Sequence, residues 1–251
     1  SGGAAPLVLQ AEETSWLQKN GVAITNDDSK YKWDVTTDAT IKAIFGQDGF
    51  FTDGESASQG DQVGLVLDVS SFYAEAGGQE ADSGSIMVMD GAGQFEVTDV
   101  QVYGGYILHS GVVKDGKISI GSQVQCKVDY DRRRDVAPNH SMTHVLNAAL
   151  RKVLGDGVEQ RGSLCNDEKL RFDFSHKKAM TPAQLTETES ICQQAVAAAE
   201  PVTSEIMPLE TAKAIPGVRA VFGEVYPDPV RVVSVGSELS VEFCGGTHIA
   251  N

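Results

Sequence analysis

Hydrophobic and polar residues alternate over short runs in the first half of the chain and recur at helical spacing in the second. Val63–Val69, Ser85–Met89, Gln94–Tyr103 and Val124–Tyr130 are β-branched or aromatic runs. Glycine-containing breaks at Asp53-Gly54, Gly77-Gly78, Gly91–Gly93, Gly104-Gly105 and Asp115-Gly116 separate them. Several short strands at this spacing predict a small β-barrel or sandwich over residues 35–130. Lys114-Asp115-Gly116-Lys117, set between apolar runs, reads as its clearest hairpin turn. Residues 1–34 show no comparable pattern and read as a linker or poorly defined segment. Ser1-Gly2-Gly3 looks like a cloning scar or a disordered end.

The period changes near Arg132. Pro138-Asn139 reads as a helix start with Asn139 as the N-cap. Met142, Val145, Leu146, Ala149, Leu150 and Val153 then form one apolar stripe that ends at Gly155. A second helix is expected from Thr181-Pro182, with Gln184 placed for a capping box and Pro201 beyond its end. Leu185, Cys192, Val196 and Ala199 are its expected buried face. Leu170–Phe174, Val230–Val235 and Leu239–Phe243 read as strands, and Gln160–Leu164 as a plain turn. The expected fold class is therefore α+β: a β-barrel-like subdomain over 35–130, followed by an α+β subdomain over 131–251.

Composition narrows the function. No run approaches the ~18–20 apolar residues that span a bilayer, so no membrane partner is expected. Four scattered cysteines are too few for a disulfide scaffold and favour a reducing compartment, the cytoplasm or an organelle of a eukaryote. A net charge of -15 argues at first against a polyanionic partner. Its distribution weakens that objection. Residues 1–130 hold 7 Lys and no Arg against 19 acids, whereas residues 131–178 hold 10 basic residues against 7 acidic ones. Arg132, Arg133, Arg134, Lys169, Arg171, Lys177 and Lys178 are thus either solvated charges or candidates for gripping phosphates. Asp131, Asp135 and Asp173 are potential partners for some of them.

Two four-residue spacings carry the sharpest chemistry. His140-Ser-Met-Thr-His144 lies on the first predicted helix, where residues i and i+4 share a face. Cys244-Gly-Gly-Thr-His248 follows the last strand, with two glycines that permit a tight turn. Together they make three imidazoles and one thiolate, a set suited to tetrahedral Zn²⁺. Both helix histidines point opposite the apolar stripe, on the side of Asn147 and Arg151, and so are either exposed or set in a polar cleft. Four protein ligands are typical of a structural ion, whereas catalytic zinc keeps one position open.

Read in order, FYAEAGGQ, NHSMTH, QRGSL with LRFDFSH, and RAVFGEVYPDPVRVVSVG leading to EFCGGTH resemble the editing domain of alanyl-tRNA synthetases from about residue 60 to 250. Threonyl-type editing modules share the metal motif but lack the FYAE-x-GGQ element. The resemblance implies hydrolysis of Ser-tRNA(Ala) and Gly-tRNA(Ala), with His140, His144, Cys244 and His248 holding Zn²⁺. It also implies a pocket formed by Gln160 with Gly77, Gly78 and Gln79. Thr143 and Arg161 join Arg132–Arg134, Lys169 and Arg171 as substrate-binding candidates. The implied partners are the mischarged tRNA(Ala) acceptor end and the rest of a synthetase chain. The stop at Asn251 departs from the family pattern and reads either as an excised fragment or as a core completed differently. A second hydrolytic pocket has a physical rationale. A site built for alanine cannot exclude glycine by size, and rejects a hydroxylated residue only moderately.

Overall fold

The structure, a computed structural model, describes residues 5–221 and 223–250. The readings for Ser1-Gly2-Gly3 and Asn251 lie outside them. The chain divides into two compact units: residues to Glu75 together with Ala81–Arg133, and residues Ala76–Glu80 together with the chain from Arg134 onward.

The first unit begins with helix α1 (Ala11–Lys19), closed by a capping box between Gln10 and Glu13. Eight strands follow: β1 (Thr36–Gly46), β2 (Gly49–Phe50), β3 (Ser56–Ser58), β4 (Gln62–Leu67), β5 (Gly84–Val88), β6 (Gly93–Tyr103), β7 (Tyr106–Ser119) and β8 (Gln123–Val128). Pairing runs β1-β4-β7-β6-β5-β8, and β8 returns to β1, so six antiparallel strands close a barrel. Closure removes the unpaired edges of an open sheet. Strict alternation fills the interior: Val124, Cys126 and Val128 of β8 and Phe95 and Val97 of β6 are buried, while their sequence neighbours face out. On β1, Ile41 and Ile44 enter the interior core, whereas Ala43 and Phe45 join a second cluster with Leu9 and Leu17. Residues 5–34, expected to be a linker, thus cover one outer wall of the barrel. The apolar residues of α1 are too few to announce this in the sequence.

The expected hairpin at Lys114–Lys117 is corrected. These residues lie inside β7, and the reversal between β6 and β7 is Gly104-Gly105, where Tyr103 faces Tyr106. The bulge is at Lys114, which has no partner on β6 between the pairs Gln94–Asp115 and Phe95–Val113; Gly116, with φ +65°, pairs with Gly93, and a β-carbon there would strike the Ala92 carbonyl. A glycine after an aspartate flanks a bulge as readily as it makes a turn.

His109 of β7 is fully buried in the barrel. Its Nδ1–H donates to the Leu65 carbonyl at 2.9 Å, and Nε2 accepts from Ser70 at 2.7 Å. Burial pushes its pKa down to about 4. The folded unit therefore keeps this imidazole neutral, and its contribution is complete above the unfolded pKa near 6.5 and fades as pH falls toward 4. That span corresponds to about 3 kcal/mol. Urea unfolding at pH 7.5 and 4.5 is expected to show His109→Gln losing about that much of the wild-type pH dependence. An unchanged pH slope would contradict the assignment.

The second unit contains most of helix α2 (Tyr130–Leu154), the hairpin of β9 (Gln160–Cys165) and β10 (Leu170–Phe174), helix α3 (Pro182–Ala197), strand β11 (Val202–Met207), the short helix α4 (Leu209–Lys213), and strands β12 (Val230–Val235) and β13 (Ser240–Phe243). Strands β11, β12 and β13 form an antiparallel sheet in that order. Met207, Val230, Val232 and Phe243 pack with Ala212 beneath it. This is the α+β class expected.

Three local readings change. Helix α2 starts two turns before Asn139, because the Asp129 carboxylate takes the Arg132 N–H at 3.0 Å and caps it there. Pro138 sits inside the helix, with Val136 and Ala137 buried beside it. The helix gives up one internal hydrogen bond at that point and continues. Gln160–Leu164, expected as a turn, is a strand, with Leu164 facing Arg171 and Ser163 facing Phe172. Helix α3 has its expected capping box at Thr181 and Gln184, but Leu185 and Val196 are exposed and Thr188 is its buried residue. A sparse apolar pattern did not show which face was covered. Among the described residues no helix is long and apolar enough to cross a membrane.

Candidate metal centre

Helix α2 carries His140 and His144 one turn apart, both at most 5% exposed. They face a polar cleft, the second alternative left by helix phase. The loop after β13 brings Cys244 and His248 to them, and the four ligand atoms lie within 4.8 Å of one another. The Cys244 Sγ is 3.3 Å from both His140 Nε2 and His248 Nε2. Tetrahedral zinc with bonds of about 2.0–2.3 Å would place its ligands about 3.4–3.7 Å apart. Both sulfur contacts already lie close to that spacing, and the wider pairs, up to 4.8 Å apart, have to close.

Surrounding hydrogen bonds prepare these atoms. Gln79 Oε1 accepts from the Thr247 N–H at 2.9 Å and from His140 Nδ1 at 2.7 Å, while Gln79 Nε2 donates to Thr247 Oγ1. The proton of His140 is therefore on Nδ1, which leaves Nε2 bare toward the sulfur. Ser141 Oγ lies 3.1 Å from His248 Nδ1 and fixes that ring in the same sense. His144 Nδ1 is buried without a hydrogen-bond partner, a deficit that a cation would remove. Gly246 makes the packing possible: a β-carbon there would collide with the His140 ring and come within 2.9 Å of Gln79 Oε1. Its N–H also points to Cys244 Sγ at 3.4 Å. Arg231 of β12 ties down the loop by donating to the carbonyls of Cys244 and Gly246.

Electrostatics agree with a cation site. Burial, aided by neighbouring imidazoles and Arg231, pushes His140 down to about 3 and His144 to about 4, and lowers His248 well below its ordinary value. All three are neutral nitrogen donors near neutral pH. Burial drives the Cys244 thiol up to about 12, so only a bound cation would make it a thiolate. Glu242 is held near 7 by burial, against the hydrogen bond from Asn147.

Other predicted residues are placed differently. Gly77 and Gly78 make a tight turn, and Gln79 then pairs with Cys165 at the end of β9. The side chain of Gln79, 1% exposed, is an acceptor that orients His140. Gln160 is half-buried and donates to Ser163 Oγ at 3.2 Å; it lines a cavity with Asn147 and Glu242. Thr143 is buried and bonded to the Asn139 carbonyl and Cys165 Sγ. Arg161 pairs with Glu159 and Arg171 with Asp173, all at the surface, and Lys169, Lys177 and Lys178 are exposed. In the first unit, Arg132 is half-buried and donates to the Ala81 carbonyl. Arg134, in the second, is exposed. Arg133 is removed from the phosphate candidates: it is 1% exposed and paired with Asp82.

Sequence reasoning missed Ser141, Arg231 and Glu242 as parts of this centre. Asn147 had a signal, since it shares the helical face of the two histidines. Glu242 had one too, because on β13 it lies on the face opposite Val241, two residues before Cys244. With Gln79→Leu, a competition titration with a chromophoric chelator is expected to show metal affinity lowered by about 10–100-fold, the usual effect of losing a ligand-orienting partner. Unchanged affinity would mean that Gln79 does not orient His140.

The sequence of this chain is similar to those of known proteins. The first unit is the part recognised by the family of class II (A) tRNA synthetases, which matches residues 8–132. Relatives covering nearly the whole chain narrow this class. An alanine–tRNA ligase of Schizosaccharomyces pombe is 44% identical over 264 residues, covering 99% of this chain and 27% of the relative. One of Candida albicans is 45% identical over 93% of the chain, and the mitochondrial alanine–tRNA ligase of Saccharomyces cerevisiae is 44% identical over 96% of it. These correspond to 25% and 26% of those relatives. The chain belongs to the alanyl-tRNA synthetase family and spans about a quarter of the length of the curated relatives it matches.

Proposed function

We propose that this chain is the hydrolytic editing module of an alanine–tRNA ligase, which deacylates Ser-tRNA(Ala) and Gly-tRNA(Ala). The observation that carries the reading is the quartet of His140, His144, Cys244 and His248, buried or half-buried, with Gln79 and Ser141 beside two of the imidazoles. The donor set favours Zn²⁺ over harder ions. When bound, zinc would supply a fixed positive charge for orienting the substrate and polarising the scissile ester. The residues of the chain do the rest. Gln160 offers an amide at the cavity it lines with Asn147 and Glu242, and backbone N–H groups can hold the developing oxyanion. Arg134, Arg161, Lys169 and Arg171 supply exposed positive charge for the acceptor-end phosphates, a salt-sensitive contribution. The reaction splits the ester with one water, giving the free amino acid and the tRNA 3′-terminal hydroxyl.

The test is direct. Zinc-loaded protein should shorten the lifetime of Ser-tRNA(Ala) and leave Ala-tRNA(Ala) largely intact; a seryl ester as stable as in buffer alone refutes the reading. One observation favours a second reading, a structural-zinc RNA-binding module: the ligand set is complete, with four protein side chains, as in structural sites. That module would bind acceptor-stem RNA without hydrolysing it. A threonyl-type module is separated by comparing seryl esters on alanine and threonine tRNAs.

A further inference from the structure

The second unit holds two cavities, of about 790 and 270 Å³, both lined by Asn147, Arg151, Arg219 and Glu242. One buried oxygen there lacks a donor, and a carboxylate oxygen beside it makes no hydrogen bond within the protein. Asn147, 5% exposed, gives its Nδ2–H to Glu242 Oε1 at 2.8 Å, while its own Oδ1 is buried with no hydrogen-bond partner. Glu242 is 8% exposed, and its Oε2 lies 3.6 Å from His144 Nε2, beyond hydrogen-bond length. The arginines do not fill the gap. Arg151 spends both terminal nitrogens on the Val158 and Asp156 carbonyls while its buried Nε makes no hydrogen bond, and Arg219 has Asp156 at 3.9 Å. Among the described residues neither makes a hydrogen bond or ion-pair contact with Glu242, although both positive charges act on its carboxylate from a distance.

A buried amide oxygen without a donor, beside a carboxylate oxygen that no protein hydrogen bond reaches, suits a group that only donates and carries positive charge. An aminoacyl ester has one such group. Its hydroxyls and carbonyls accept hydrogen bonds, whereas its α-ammonium has three N–H donors and no acceptor. We propose that Glu242 and Asn147 seat the α-ammonium of the aminoacyl group beside the metal cluster, which makes the site selective for esters with a free α-amine. This rests on the deacylase reading above. It follows that tRNA carrying an N-acylated amino acid is spared.

The experiment compares Glu242→Gln with wild type in the zinc-loaded protein, on seryl-tRNA(Ala) and on the same tRNA carrying glyceric acid, which has a hydroxyl in place of the amine. Loss of a charged hydrogen bond should lower kcat/KM on the seryl ester by about 10–100-fold, and on the glyceryl ester by less than about 3-fold. A second readout needs no turnover. Calorimetric binding of a non-hydrolysable 3′-seryl-amide of adenosine should weaken by about 10-fold or more in the variant, with its glyceryl counterpart unchanged and zinc content intact. Equal losses on both esters or both amides, or loss of zinc from the variant, would overturn the proposal. Absence of hydrolysis in wild type would defeat the deacylase reading, and the amide pair would still decide the role of Glu242.

Discussion

Replacing His140 or Cys244 with alanine is expected to lower zinc affinity by about 100–1,000-fold per ligand. Structural zinc sites with four protein ligands bind with about 10–16 kcal/mol in all, so each ligand accounts for roughly 3–4 kcal/mol. Wild-type protein should hold close to one equivalent of zinc by metal analysis, and each variant much less after dialysis against a weak chelator. Deacylation should fall with the metal. Cys244→Ala also separates the two functional readings, because lost hydrolysis with a retained fold supports catalysis, whereas unfolding of the second unit supports a structural ion. Retained stoichiometric zinc in both variants would dissolve the centre as described. Affinity should also drop on acidification, since the neutral imidazoles must stay unprotonated and the buried thiol must release its proton to bind.

The second large effect is expected in the first unit. Arg133 is buried there, its guanidinium bonded to both carboxylate oxygens of Asp82, to the Lys32 carbonyl at 2.8 Å and to the Ser71 carbonyl at 3.1 Å. It also stacks over Trp33 and Tyr130, 5.4 and 4.9 Å from their ring centres. Asp82 accepts the Tyr73 N–H as well, at 2.8 Å. Asp82→Ala leaves this guanidinium without its counter-charge and should cost about 3–5 kcal/mol in chemical unfolding of that unit. Replacing both partners with apolar residues of similar size should recover much of the loss, because no charge is then stranded. A shift below about 1 kcal/mol for Asp82→Ala would show the pair to be solvated rather than buried.

That arginine shows why parts of the molecule were legible and others were not. Three consecutive arginines look alike in a sequence, yet Arg133 is buried, Arg132 is half-buried and Arg134 is exposed. Helix phase separates neighbours by about 100°, so their fates depend on partners that lie 50 to 100 residues away. The barrel was readable because alternation is a local signal, and Val124, Cys126 and Val128 show it plainly. The metal quartet was readable because two i, i+4 pairs with metal-binding side chains are rare and chemically specific. Polar supports such as Ser141, Arg231 and Asn147 are common residue types with ordinary spacing, and only their distant contacts distinguish them. The start of α2 was misread for a related reason. A proline normally marks a boundary, but the Asp129 cap upstream and the buried residues around Pro138 outweigh one lost hydrogen bond.

The five residues Ala76–Glu80 belong to the second unit, although the chain on either side of them belongs to the first. Cutting the gene at Arg133 would therefore deliver all four ion-binding side chains and still omit the glutamine that fixes the protonation of one of them. Domain shuffling by simple end-to-end fusion could not transplant this centre intact. A graft onto another scaffold would have to supply a substitute acceptor for His140 Nδ1, or accept an imidazole free to turn its lone pair away from the ion.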